Sequence, residues 1–126
     1  MTDLIGRICE AIFRQEGMGP DHTNPGNLRD APWFPGSYQQ RFYLGPAPQA
    51  KLKFVKGYWV PRTRMEGIAG AAHVVALHIA KGETLSQLIH GWAPAGDGAN
   101  DPKVYVEHVK EWAAIPDENE PLWTYL

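Results

Sequence analysis

The segment Met65–Ala80, with the sequence MEGIAGAAHVVALHIA, is the part of the chain that decides the fold. Apolar and small residues occupy almost every position in it, so they surround the helix axis instead of forming a single stripe. A helix that is apolar all round is normally enclosed by other elements. The segment therefore predicts a buried central helix, which Gly82 ends and around which the rest of the chain packs.

The N-terminal segment predicts an amphipathic helix. Thr2 or Asp3 is suited to its N-cap and Gly17 to its end. Glu16 falls on the apolar face of this helix, although most charged residues of a helix lie on its polar face. The apolar face itself is defined by residues that recur at spacings of three and four, namely Ile5, Ile8, Cys9, Ile12 and Phe13.

Two more helices are predicted after the central one. Thr84 and Gln87 form a capping box that opens a short helix. Asp101 and Pro102 combine an N-cap with a proline at the first helical position, and they open a last, longer helix. The residues expected to face inward from these helices and from the C-terminal tail are Leu85, Leu88, Ile89, Trp92, Tyr105, Val106, Val109, Ala113, Leu122 and Trp123. His108 and Trp112 are expected beside the apolar face of the last helix.

A small β region is predicted between Gly17 and Met65. Residues 39–44 and 51–60 resemble short strands, and Gly57 within the second run indicates a turn or a bulge. The sequence Asn24-Pro25-Gly26-Asn27 is a strong turn signal, because proline fixes φ at its second position and glycine accepts a positive φ at its third. The predicted fold class is therefore α+β, mostly α, with a two- or three-stranded sheet in a single domain over residues 1–126.

The composition excludes several broad classes of protein. The chain has 126 residues, 44% of them hydrophobic, which is too high for intrinsic disorder. No apolar run approaches the roughly 20 residues of a membrane span. Asp3 stands where a signal peptide would carry positive charge, so we expect no signal peptide and synthesis in the cytoplasm. The single Cys9 cannot form an internal disulfide, and it is expected to be an inert core residue.

The charge is unevenly distributed along the chain. Residues 31–65 contain six basic residues and no acidic one, whereas the rest of the chain carries a net charge of −8. Such a basic segment, interleaved with aromatic residues, is typical of a surface that meets an anionic polymer. It is equally typical of the solvated edges of a loop or hairpin. Nucleic acid is the less favoured polymer, because the chain as a whole is acidic.

Several short motifs resemble those of a family of small lysozyme-like proteins of phages and bacteria. In order they are Glu16-Gly17, NPGNLR at 24–29, GYWV at 57–60, EGI at 66–68, GWAP at 91–94, Asn100-Asp101-Pro102 with Tyr105, and PDENEPL at 116–122. They span nearly the whole chain in the family's order, and NPGNLR is the most specific. Two departures are His22-Thr23 before NPGN and a longer basic insert before GYWV. The resemblance implies a lysozyme-like fold and cleavage of peptidoglycan glycan strands.

Glu16 is the candidate general acid for this chemistry. Glycosidic cleavage needs an acid that protonates the leaving oxygen, and an apolar setting favours the protonated form of a carboxyl group. Asp21 is the nearest candidate for a second acid, ahead of Asp30, Glu66 and Asp97. A lytic transglycosylase would need none, because a hydroxyl group of the substrate attacks internally. No metal motif or cofactor motif occurs, so no cofactor is expected.

The substrate-binding residues that the resemblance implies are Thr23, Asn24, Asn27, Trp92 and Tyr105. The structural alternative is turn geometry for the two asparagines, core packing for Tyr105 and closure of the helical lobe for Trp92. The expected partner is peptidoglycan, contacted by a monomer without nucleic acid or membrane, after release from the cell or as part of a phage particle. The alternative function is a glycan-binding or structural virion protein that keeps this fold without catalysis.

Overall fold

The computed structural model describes residues 3–19, 21–28, 54–93 and 101–126. These ranges are mostly helical with a minor β component, as the sequence predicts. Their elements are α1 (Leu4–Glu16), β1 (Phe54–Val55), β2 (Tyr58–Trp59), α2 (Arg64–Ala80), α3 (Leu85–Trp92), α4 (Pro102–Trp112) and a 3₁₀ helix (Leu122–Tyr125). The predicted strand at 39–44, the candidate acids Asp30 and Asp97, and most of the basic segment lie outside the described residues.

The predicted helix ends are confirmed by their capping hydrogen bonds. The Asp3 side chain accepts from the backbone N–H of Gly6, and Gly17 ends α1 with φ of 68°, a left-handed conformation that favours glycine. Thr84 and Gln87 form the reciprocal capping box of α3. The Asp101 side chain caps α4 by accepting from the N–H of Lys103. These contacts satisfy backbone groups that a helix leaves without internal partners.

The core lies where α1 packs against α2 and α4, and where α3 packs against α4. α1 and α4 run antiparallel, since Arg7 at the start of α1 donates to the carbonyl of Ala113 beyond the end of α4. At the other end, Glu16 meets Tyr105 near the start of α4. The fully buried residues of this core include Ile8, Ile12, Val75, Leu85, Leu88, Ile89, Val109 and Leu122.

The central helix α2 is buried along one face and not all round, which corrects the prediction from its composition. Its buried positions are Gly67, Gly70, Ala71, Val74, Val75 and Ile79. Met65 and Ile68, in contrast, are 79% and 39% exposed. Gly67 and Gly70 of the first turns pack closely against the backbone of Thr23 and the ring of Trp59, so their small size reflects contacts on one side of the helix.

The two strands form a hairpin within the predicted run 51–60. Phe54 pairs with Trp59 and Val55 with Tyr58 in antiparallel register. The two residues between the strands, Lys56 and Gly57, both have positive φ, at 52° and 84°. This is the geometry of a two-residue turn whose twist matches that of the strands. Gly57 therefore belongs to a turn, one of the two possibilities that the sequence left open.

The C-terminal tail docks on the body of the protein as predicted, Leu122 more deeply than Trp123. The Leu122 side chain is fully buried, and its backbone N–H donates to the carbonyl of Glu83. The Trp123 ring lies against Gly82, where a Cβ atom would come within 2.8 Å of the ring, yet its side chain remains half exposed. Gly82 follows the end of α2 with φ of 76°, and because it lacks a Cβ atom it also leaves room for Trp123.

Candidate active site

Glu16 and Tyr105, which are 89 residues apart in sequence, form a direct side-chain hydrogen bond. The Tyr105 hydroxyl donates to Oε2 of Glu16 over 2.7 Å. Glu16 is the last residue of α1 and is partly buried, whereas Tyr105 is 1% exposed in the first turn of α4. The antiparallel packing of the two helices thus brings together the candidate acid and the tyrosine that the motifs single out.

The phenol of Tyr105 stays protonated in this setting. Burial and the neighbouring carboxyl group of Glu16 raise the pKa of Tyr105 far above its ordinary value of 10.0. A phenol that does not ionise remains a hydrogen-bond donor at every working pH. Tyr105 therefore fixes one oxygen of Glu16 whichever protonation state the carboxyl group adopts.

The two residues before Glu16 are also held by residues of α4. The Gln15 Oε1 atom lies 2.6 Å from Nδ1 of His108. The Arg14 guanidinium lies 4.1 Å from the centre of a Trp112 ring, and His108 stacks on Trp112 with ring centres 4.9 Å apart. The sequence motifs assign no site role to Arg14, Gln15, His108 or Trp112. Their signal is the spacing 105, 108, 112, which places three side chains on one stripe of α4.

The Asn24–Asn27 turn is present, but its positive φ falls on Asn27, at 53°, and not on Gly26. Asn27 donates its backbone N–H to the carbonyl of Asn24, which closes the turn. Gly26 is required for a different reason. A Cβ atom there would lie 3.0 Å from the Trp92 ring and 3.3 Å from Cβ of Ala71. The expected conformational role of Gly26 is therefore wrong, and the residue serves close packing.

The side chain of Asn24 is occupied by the fold. It is 2% exposed, and its Nδ2 donates to the carbonyls of Leu28 and Trp59 at 3.1 Å and 2.9 Å. Its Oδ1 accepts from the N–H of Leu28. The N–H of Trp59 in turn donates to the carbonyl of Leu28, so the turn and the hairpin are joined at two points. Of the two roles that the sequence left open for Asn24, the structure supports the one in turn geometry.

Trp92 closes α3 onto this turn. Its Nε1–H donates to the carbonyl of Gly26 over 2.9 Å, and its side chain is partly buried. Phe13, one helical turn before Glu16, lies on the same side of Gly26, where its ring would be 3.5 Å from a Cβ atom at that position. The turn, Trp92 and the end of α1 therefore meet in one region.

The remaining candidates make their contacts elsewhere in the fold or face solvent. Thr23 and Asn27 are partly exposed and Asp21 is exposed. Thr23 contributes its backbone carbonyl to the packing against Gly67 of α2. Glu66 pairs with Arg62, accepting from its guanidinium and from its backbone N–H. Asp21 remains the prediction for a second acid.

Other features of the described residues concern metal binding, membrane insertion and thiol reactivity. Nowhere in these ranges do three or more His, Cys, Asp or Glu side chains converge so as to hold a metal ion. No helix within them is both long and apolar enough to cross a membrane. Cys9 is buried, and burial raises the pKa of its thiol to about 12, which keeps it protonated and unreactive.

We expect Tyr105→Phe to lower the free energy of unfolding by about 1–2 kcal/mol at neutral pH, because it removes a buried hydrogen bond to a carboxyl group. The difference in the free energy of unfolding between the variant and the wild type should become smaller above pH 10. There the unfolded wild-type chain ionises Tyr105 while the folded chain does not, so wild-type stability falls with rising pH. Urea unfolding between pH 7 and 11 measures both effects. A constant difference across this range would contradict the assignment.

Asn24→Ala should lower the free energy of unfolding by about 2–4 kcal/mol, because it removes the three buried hydrogen bonds that the Asn24 side chain makes to the backbone of Leu28 and Trp59. Asn119→Ala, at an exposed position, is the control and should have little effect. Urea unfolding gives the free energies, and titration with glycan fragments gives affinity. If Asn24 bound substrate instead, the variant would keep its stability and lose affinity.

No family model, curated protein or solved structure matches this chain. The resemblance to lysozyme-like proteins therefore rests on the sequence motifs themselves.

Proposed function

We propose that this protein is a peptidoglycan-cleaving glycosidase of lysozyme-like fold, a lytic transglycosylase or a muramidase, in which Glu16 is the general acid. It would act on glycan strands as a monomer without a cofactor. In this proposal α1 ends in the acid, the hairpin belongs to one wall of the cleft, and the helices form the other.

The observation that carries the proposal is the hydrogen bond between Tyr105 and Glu16. A carboxyl group at the end of a helix is ordinarily solvated. Helix packing alone does not require that the hydroxyl group of a buried tyrosine donate a hydrogen bond to it. Here the phenol is 1% exposed and donates at 2.7 Å. The turn at 24–27 and Trp92 pack beside the same end of α1, through Phe13 and Gly26. Three motifs of the resemblance, Glu16-Gly17, NPGNLR and GWAP, thus lie near the last turns of α1.

The first chemical step uses Glu16 as an acid. The carboxyl group of Glu16, which accepts from Tyr105 at Oε2, transfers its proton to the oxygen of the scissile glycosidic bond. The bond from the anomeric carbon to that oxygen then breaks, its electron pair stays on the leaving sugar, and the anomeric carbon becomes oxocarbenium-like. Glu16 ends this step as a carboxylate, which the hydroxyl of Tyr105 stabilises.

The second step requires Glu16 to act as a base. In transglycosylation the carboxylate removes a proton from a hydroxyl group of the same sugar, and that oxygen bonds to the anomeric carbon to form an anhydro ring. In hydrolysis a water molecule takes the place of this hydroxyl group, and a second carboxylate such as Asp21 would assist it. Transglycosylation is the simpler form of the proposal, because one carboxyl group held by Tyr105 suffices for both of its steps.

Mass spectrometry of the products from purified murein tests the proposal. Anhydro-muramyl ends would identify a lytic transglycosylase, and reducing ends a hydrolase. If the folded wild-type protein releases no product, the enzymatic proposal fails. Co-sedimentation with murein would then distinguish the glycan-binding or structural protein, which is retained on the pellet, from a protein without affinity for the wall.

A further inference from the structure

The position of the Glu16 carboxyl group depends on the order of the last turn of α1. Glu16 is the final helical residue, and Gly17 leaves the helix with left-handed φ. The last turn of a helix lacks part of its internal hydrogen bonding and tends to fray. The contacts that Arg14 and Gln15 make with α4 therefore affect how firmly the carboxyl group of Glu16 is positioned.

His108 is the residue of α4 that links these contacts. Because Oε1 of Gln15 accepts at 2.6 Å, Nδ1 of His108 carries a hydrogen and donates it. The imidazole plane also lies within 22° of parallel to the Trp112 ring, on which it stacks. Trp112 is in turn contacted by the Arg14 guanidinium at 4.1 Å. The His108 ring is thus fixed both by a hydrogen bond and by stacking.

We propose that His108 is a positioning residue for Glu16: through Gln15 and Trp112 it holds the last turn of α1 against α4, one helical turn away from Tyr105. It acts on the acid through the backbone and not by contact with substrate. The inference rests on the proposed function, since it assigns a role within the same site.

The test combines variants at both ends of the contact. His108→Leu and Gln15→Leu should each lower kcat on soluble murein glycan strands about tenfold, with KM within about twofold, because small displacements of a catalytic group strongly reduce the rate. The double variant should lose no more than His108→Leu alone, since Gln15→Leu removes a hydrogen bond that His108→Leu already removes. His108→Asn, whose amide can replace the Nδ1 donor, should recover most of the rate. His90→Leu, at an exposed histidine of α3, is the control.

A readout independent of catalysis accompanies these rates. In His108→Leu, amide hydrogen exchange should accelerate at residues 14–17 and remain unchanged in α3. Additive rate losses in the double variant, a loss confined to KM, or unchanged exchange at the end of α1 would each overturn the positioning role. These outcomes differ from those that would overturn the proposed function. In that case the wild type would release no product, or Glu16→Gln would cleave murein as well as the wild type does.

Discussion

Glu16→Gln is expected to lower murein cleavage by at least about 10²–10⁴-fold while the protein stays folded, because the amide cannot transfer a proton. The substitution keeps the size of the side chain and an oxygen that can accept from Tyr105. Catalytic groups are often held at some expense of stability, so the melting temperature should stay level or rise. Product release from purified murein and a thermal melt of the same preparation measure the two quantities.

Glu10→Gln is the matched control for this experiment. Glu10 is exposed on the same helix, so the substitution makes the same chemical change on α1 at a site away from Tyr105. It should leave both cleavage and melting temperature close to those of the wild type. If folded Glu16→Gln retains cleavage, Glu16 is not the acid, and Asp21 is the next residue to replace. If cleavage falls only with the folded fraction, the role of Glu16 is structural.

The helices could be predicted from sequence because their determinants are local. Asp3, Gly17, Thr84 with Gln87, and Asp101 act on backbone groups within a few residues, and their effects are visible in the chain itself. The burial of α2 is lower than its composition predicts, because burial depends on contacts that are not local. Which side of an apolar helix is covered depends on partners distant in sequence, so composition alone could not reveal the exposure of Met65 and Ile68.

The candidate site likewise contains residues that the sequence could predict and contacts that it could not. Glu16 could be selected from its place on the apolar stripe of α1, and Tyr105 from the motifs that resemble those of lysozyme-like proteins. The pairing of Gln15 with His108 could not, because it depends on the register of α1 against α4, which is a tertiary property. For Asn24 the sequence offered turn geometry as a role, but it could not reveal the hydrogen bond to the carbonyl of Trp59, 35 residues away.

Three of the sequence motifs prove to be one packing unit. Gly67 of EGI admits the backbone of Thr23, just before the turn of NPGNLR. Gly70, one helical turn further, admits the ring of Trp59 from GYWV, where a Cβ atom would come within 2.5 Å. Asn24 then joins the turn to the hairpin by hydrogen bonds. The glycines of α2 thus let the turn and the hairpin approach the helix closely, beside the end of α1.

Gly67→Ala should therefore destabilise the protein severely, although alanine is intrinsically the better helix former. The added Cβ would lie 1.7 Å from the carbonyl oxygen of Thr23, and this backbone atom cannot turn aside as the tip of a flexible side chain could. We expect the free energy of unfolding to fall by at least ~3 kcal/mol, measured by urea unfolding. Gly91→Ala is the matched control, because its Cβ would meet only His78, at an ordinary contact distance of 3.6 Å. Only the higher helix propensity of alanine should then affect the free energy of unfolding, which should stay level or rise by up to about 1 kcal/mol. Equal effects of the two substitutions would show that the turn does not pack on α2 in this way.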